Sequence, residues 1–184
     1  MINESDIIRM LLSGTEMRYI YKMARSAEIG GSSSVRDGAE REEFLSEDQI
    51  IGQIGTFAGH KYMFGNANDY RTTRWYANKY PTHGDTGSDV TGANIDFKTS
   101  LIRGMKPPLA YNMLVRPRER HERWVYYQFL VESYSEKSAT VLLLGWASTE
   151  MLPSKVADGG IFNGAYVLPV TLLNPLPALE WWSD

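Results

Sequence analysis

Asp85, Asp89 and Asp96 fall within one short stretch, GDTGSDVTGANIDFKTS at residues 84–100, and Lys98 stands two places after the last of them. The whole chain has 22 acidic residues among 184, so three in one turn and strand start is a local concentration that asks for a chemical reason. A turn through Gly92 would return Asp89 alongside Asp96, since facing residues of a hairpin lie about 5 Å apart. Two carboxylates held that close repel unless a cation sits between them. Their oxygens are hard ligands suited to Mg²⁺ or Mn²⁺, and a neighbouring ammonium can orient or deprotonate a water on such a metal. That combination suits phosphodiester hydrolysis. The competing reading is a solvated loop, because Asp and Gly are ordinary turn residues and Asp-x-Lys is ordinary on a strand edge. An EF-hand does not fit. Counted from Asp85, position three is Gly87 and the glycine needed at position six is Val90.

Other chemistries have weaker support. His83 precedes the acidic loop and could act as acid or base or contact phosphate, but histidines 60, 83 and 121 are scattered along the chain and suit surface positions. The nucleophile-elbow pattern Gly-x-Ser-x-Gly is absent, which removes the usual support for a serine hydrolase. Gly84, Gly87 and Gly92 lack both Walker spacing and a following helix.

The elements that must position these groups follow from periodicity. Apolar residues from Ile7 to Met23 recur at near-helical spacing, which predicts a helix over 4–28 capped by Asn3 or Ser5. GGSSS at 30–34 opens a flexible, charged connection. Ser46-Glu47-Asp48 starts a second helix with Ile50, Ile54, Phe57, Ala58 and Met63 on one face, ended by Gly65. Strands are expected at 93–99, with Phe97 on one face and Asp96 and Lys98 on the other, and at 109–115, 124–132, 140–146 and 166–170. The run at 140–146 is almost continuously apolar, as for a strand covered on both faces. A short helical turn is expected at 148–152, and an irregular proline-rich end. Helices followed by strands give a mixed α/β (α+β) domain. Its expected organisation is an N-terminal amphipathic helical segment at 1–30, a linker at 31–45 and a core at 46–184.

Asp89, six intervening residues and Asp96-Phe97-Lys98-Thr99-Ser100, with a helix before and strands after, resemble the PD-(D/E)xK nuclease superfamily. The likeness covers most of residues 46–176. IIGQIGTFAGHKYMFG at 50–65 is similar to the helix preceding the catalytic hairpin, LLLGWASTEMLP at 142–153 to a later strand and turn, and YVLPVTLLNPL at 166–176 to a C-terminal stretch. The resemblance implies a restriction-endonuclease-like fold, with a central mixed sheet flanked by helices. It implies that Asp89 and Asp96 bind the metal, that the Phe97 carbonyl is a further ligand, and that Lys98 completes the catalytic core. The chain departs from the pattern in having Ser88 where proline is common. Where many members carry a helix glutamate it has Thr56, on a face with Gln49, Gln53 and His60. Gln53 or Asp85 is the expected support for the metal site.

The resemblance makes DNA the expected partner. DYRTTRWYANKY at 69–80 interleaves Arg71, Arg74 and Lys79 with aromatics, a composition suited to backbone and stacking contacts. Arg103 and Lys106 follow the catalytic strand and could reach a phosphate. RPRERHER at 116–123 reads as a charged hairpin loop. Trp124, Tyr126 and Trp146 read as sheet packing.

Totals bound the class without choosing it. Hydrophobic content of 43% and charged content of 22% suit a globular domain, and a net charge of −3 excludes a uniformly basic surface but not a local basic groove. The absence of cysteine removes disulfides and thiolate chemistry. No apolar run reaches membrane-span length, and the N-terminus lacks a basic segment followed by an apolar one, so a soluble cytoplasmic protein is expected. The leading expectation is a Mg²⁺- or Mn²⁺-dependent DNA endonuclease, with homodimerisation through the N-terminal segment left open. Two alternatives stand beside it. One is a nuclease-fold module that binds nucleic acid or a partner without cutting; the other is an interaction protein whose acidic loop is only surface.

Overall fold

The structure is a computed structural model and describes residues 1–29, 47–65, 88–90 and 92–177. It is a mixed α/β fold built on a four-stranded sheet. Strands β1 (Ile8–Leu12), β2 (Ile95–Leu101), β4 (Val125–Tyr134) and β5 (Ala139–Ser148) lie in the order β1-β5-β4-β2. The β1-β5 and β5-β4 pairs are antiparallel, whereas β2 runs parallel to β4. Parallel neighbours need a long crossover, and this one contains β3 (Asn112–Val115). A second, two-stranded sheet pairs β3 with β6 (Tyr166–Pro169).

Each face of the main sheet is covered by a different layer. Helices α1 (Gly14–Ile29) and α2 (Glu47–Phe64) bury Met17, Ile20, Ile54 and Phe57 against Phe97, Phe129, Val131, Val141 and Leu143. On the other face Met113, Val115, Leu168, Val170 and Leu173 pack on Tyr126, Leu130, Leu142 and Leu144. The apolar run of β5 is therefore inaccessible from both sides, as its composition predicts.

The N-terminus differs from expectation. Residues 8–12 are a strand rather than the first half of a long helix, and Asn3 caps only a single 3₁₀ turn at Glu4–Asp6. Helix α1 starts later because Ser13 and Glu16 form a reciprocal cap: Ser13 N donates to Glu16 Oε2 at 2.7 Å, and Glu16 N to Ser13 Oγ at 3.4 Å. Residues 1–29 thus pack with the rest of the fold, with β1 paired along β5 and α1 packed on α2. The linker at 31–45 lies outside the described residues. The 3₁₀ turn at Thr149–Met151 and the strands at 95–101, 112–115, 125–134, 139–148 and 166–169 match expectation to within a few residues at each end.

Candidate metal and nucleic-acid site

Two glycines one helical turn apart let α2 lie directly on β2. A methyl at Gly55 would stand 1.7 Å from Thr99 Oγ1, and one at Gly59 2.6 Å from the Phe97 ring. No side chain fits there, so helix and edge strand touch backbone to side chain. This close seat brings Thr56 and His60 to the loop that carries Asp89. Thr56 Oγ1 lies 3.4 Å from Asp89 Oδ1, and His60 Nε2 donates to the Asp89 carbonyl at 2.6 Å.

The loop is closed by Ser88, where the resembled family commonly has proline. Its hydroxyl reaches the carbonyls of Val90, Ala93 and Ile95, and Gly92 takes the positive φ of 77° that the turn needs. Val125 N donates to Asn94 O and Ile102 N to Val131 O, each at 2.9 Å, so the even-numbered residues of β2 aim their backbone groups at β4. Ile95 and Phe97 face the open edge, and Asp89 occupies it. Asp89 N donates to Ile95 O at 2.8 Å, and Asp89 Oδ2 accepts from Phe97 N at 2.8 Å. Asp89 is thereby centred opposite Asp96, and the Phe97 carbonyl shares the same open edge. The Phe97 side chain points the other way, into the core.

Asp96 and Lys98 project from the opposite face of β2, side by side. Lys98 Nζ lies 2.6 Å from Asp96 Oδ2 and 2.8 Å from Glu119 Oε2. Glu119 ends the 3₁₀ turn at Pro117–Glu119 and also accepts from Arg116 N at 3.0 Å. Asp96 and Lys98 keep only 13% and 15% of their side-chain surface. Burial pushes the Asp96 carboxyl up and Lys98 pulls it down; the charges of Asp89 and Glu119 push it up again, and the balance is about 7. Burial works to lower the Lys98 pKa, but the two carboxylates more than offset it and the net shift is upward. Glu119 is desolvated as well, yet Lys98 and the Arg116 amide hold it below the usual range. Two acids share one ammonium, and Asp96 is the acid left short of positive charge.

Other expected site residues fall in different places. Gln53 is buried on α2, one turn before Thr56. Arg103 pairs with Glu47 at the start of α2, beyond the far end of β2. That end is roughly 16 Å from Asp96 at ordinary strand rise, so Arg103 does not stand beside Lys98. Lys106 sits 4.4 Å over the Tyr111 ring. Asp85, His83, Arg71, Arg74 and Lys79 lie outside the described residues. Two neighbours of Lys98 escaped sequence reasoning. Gln128 is 1% exposed and opposite Lys98 in register. Glu119 is 21 residues from Lys98 in sequence, inside an arginine-rich run with no pattern pointing to it.

The donors suit a hard divalent cation in type: two carboxylates that feel each other's charge, a carbonyl on the same edge, and an acid whose pKa is raised first by burial and then by the charges of Asp89 and Glu119. Among the described residues no group of three or more His, Asp or Glu side chains converges as a ready metal cage. No helix among them is long and apolar enough to cross a membrane. No family model, no curated protein and no solved structure matches the chain.

Proposed function

We propose that the protein is a metal-dependent DNA endonuclease that hydrolyses phosphodiester bonds. The observation that carries this reading is the arrangement at the β2 edge, where Asp89 is centred opposite Asp96 while Lys98 stands beside Asp96 at 2.6 Å. Asp89, Asp96 and the Phe97 carbonyl would hold Mg²⁺ or Mn²⁺, and the bound ion would supply charge stabilisation at the scissile phosphate. Lys98 holds a proton-bearing group beside that position and orients the attacking water. Thr56 and His60 fix the Asp89 segment on α2, and Gln53 supports from the same helix face. Cytoplasmic location and action as a homodimer belong to the same proposal.

A second reading is favoured by one observation. The Lys98 ammonium already sits between Asp96 and Glu119, as in a module that keeps the fold and binds nucleic acid without cutting. Plasmid nicking separates the two. The nuclease relaxes supercoiled DNA with Mg²⁺ or Mn²⁺, and both Asp96→Ala and Lys98→Ala abolish it; cleavage by Asp96→Ala at the parental rate refutes the assignment.

A further inference from the structure

We infer that the segment Arg116–Arg123 is a pre-formed cationic ridge that takes the phosphate backbone of duplex DNA at the rim of the Asp96–Lys98 site. The inference names the contact surface for the function proposed above and rests on that reading for its partner.

The segment contains four arginines and two glutamates, which by composition is a mixed, solvated loop. Folding separates the signs. Glu119 turns inward to Lys98, so its charge is consumed by the site. The outer surface keeps four arginines against Glu122 alone, a net of +3. Arg116, Arg118 and Arg123 are exposed, and Arg118 and Arg123 have no ion-pair partner among the described residues. Arg120 is anchored 4.5 Å over the Tyr166 ring.

The backbone under these side chains is fixed from below. The hydroxyl of fully buried Tyr126 donates to Glu119 O at 2.9 Å and accepts from His121 N at 3.1 Å. Thr149 Oγ1 donates to His121 O at 2.6 Å and accepts from Trp124 N at 3.2 Å. Arg123 is held at φ 61°, the one positive φ among described non-glycine residues. Such a backbone costs of order 1 kcal/mol and persists only where its surroundings impose it. A rigid ridge with unpaired guanidiniums loses little backbone entropy on binding, and a polyanion relieves the repulsion among its charges. Guanidinium forks match phosphate oxygens in geometry. Because Glu119 ties the ridge to Lys98, a strand lying on it is delivered to the carboxylates.

The test is fluorescence anisotropy with a labelled duplex in EDTA, where cutting cannot occur, over a series of salt concentrations. The variant is Arg118→Ala with Arg123→Gly; glycine removes the charge and suits the left-handed backbone. Binding should weaken for every duplex sequence, and the salt slope should fall by about 2, roughly 1 for each lost phosphate contact. An Arg118→Lys variant should keep the slope. Parental affinity and slope in the double variant, or no duplex binding by the parent protein, would overturn the inference. The nuclease reading fails separately: a parent that binds through the ridge yet nicks nothing leaves the ridge standing and removes the catalysis.

Discussion

The contact between α2 and β2 can be tested by adding one methyl group. In Gly55→Ala the new Cβ would lie 1.7 Å from Thr99 Oγ1, 2.6 Å from its Cβ and 2.7 Å from its Cγ2. Optimal separation is about 3.5 Å, so with Thr99 Cβ fixed at 2.6 Å strand or helix must yield by roughly 1 Å even after the hydroxyl turns away. All three atoms belong to one residue on β2, so rotating χ1 relieves some contacts but leaves Cβ in place. Overpacking of this kind costs about 1–3 kcal/mol, here toward the upper end, while alanine regains about 1 kcal/mol of helix propensity. The net loss is about 2 kcal/mol, or a Tm lower by about 4–8 °C for a chain of this size. Gly52 on the same helix provides the control, since a methyl there meets nothing within 4 Å. Gly52→Ala should raise Tm by about 2–4 °C, because only the propensity term remains. Both variants are compared by calorimetry. A Gly55→Ala protein as stable as Gly52→Ala refutes the close seat of α2 on β2, and with it the route by which Thr56 and His60 reach Asp89.

Three further outcomes follow from the site and its surroundings. Asp89→Ala should lose about 1–2 kcal/mol in denaturant unfolding, because the Phe97 amide loses its acceptor; Asp89→Asn keeps an acceptor oxygen and should lose clearly less, and equal losses would show that the bond contributes nothing. Glu119→Gln removes one of the two carboxylates that raise the Lys98 pKa while burial remains, so the Lys98 titration followed by NMR should move down; an unmoved titration contradicts the shared-ammonium geometry. Glu16 is desolvated, but Lys61 at 2.8 Å and the Ser13 cap more than offset this and hold its pKa below the ordinary value. Its stabilisation is present above the unfolded carboxylate value of about 4.3 and is lost as pH falls through the lower folded value. Glu16→Gln should therefore flatten the acid limb of the stability curve below about pH 4.5, and an unchanged limb would show the pair to be without effect.

Local pattern reveals α2 and the strands that carry the site, because α2 has an apolar face at helical spacing and β5 an almost continuous apolar run. The first strand does not show itself. Ile7, Ile8, Leu11 and Leu12 sit at helical spacing, and only pairing with β5, more than a hundred residues away in sequence, makes residues 8–12 extended. The Ser13–Glu16 cap is the available signal for where α1 starts. In the site, the turn through Gly92 and the Asp96–Lys98 alternation follow from spacing. Glu119 does not, since its role depends on a crossover that returns the chain beside β2. Nor does the inversion of RPRERHER from mixed loop to positive ridge, which depends on one glutamate turning inward. Arg103 is close to Lys98 in sequence, but the strand between them carries it to the other end of the sheet edge, where it pairs with Glu47.

The most direct measurement is a calorimetric titration with Mn²⁺ of the parent protein, Asp89→Asn and Asp96→Asn, each first shown to be folded. The parent should bind saturably and both variants should lose or severely weaken that binding, with proton release near neutral pH as the raised Asp96 carboxyl ionises. Mn²⁺ uptake that is indifferent to both substitutions, or no uptake by the parent, would contradict the claim that these carboxylates gather around a cation.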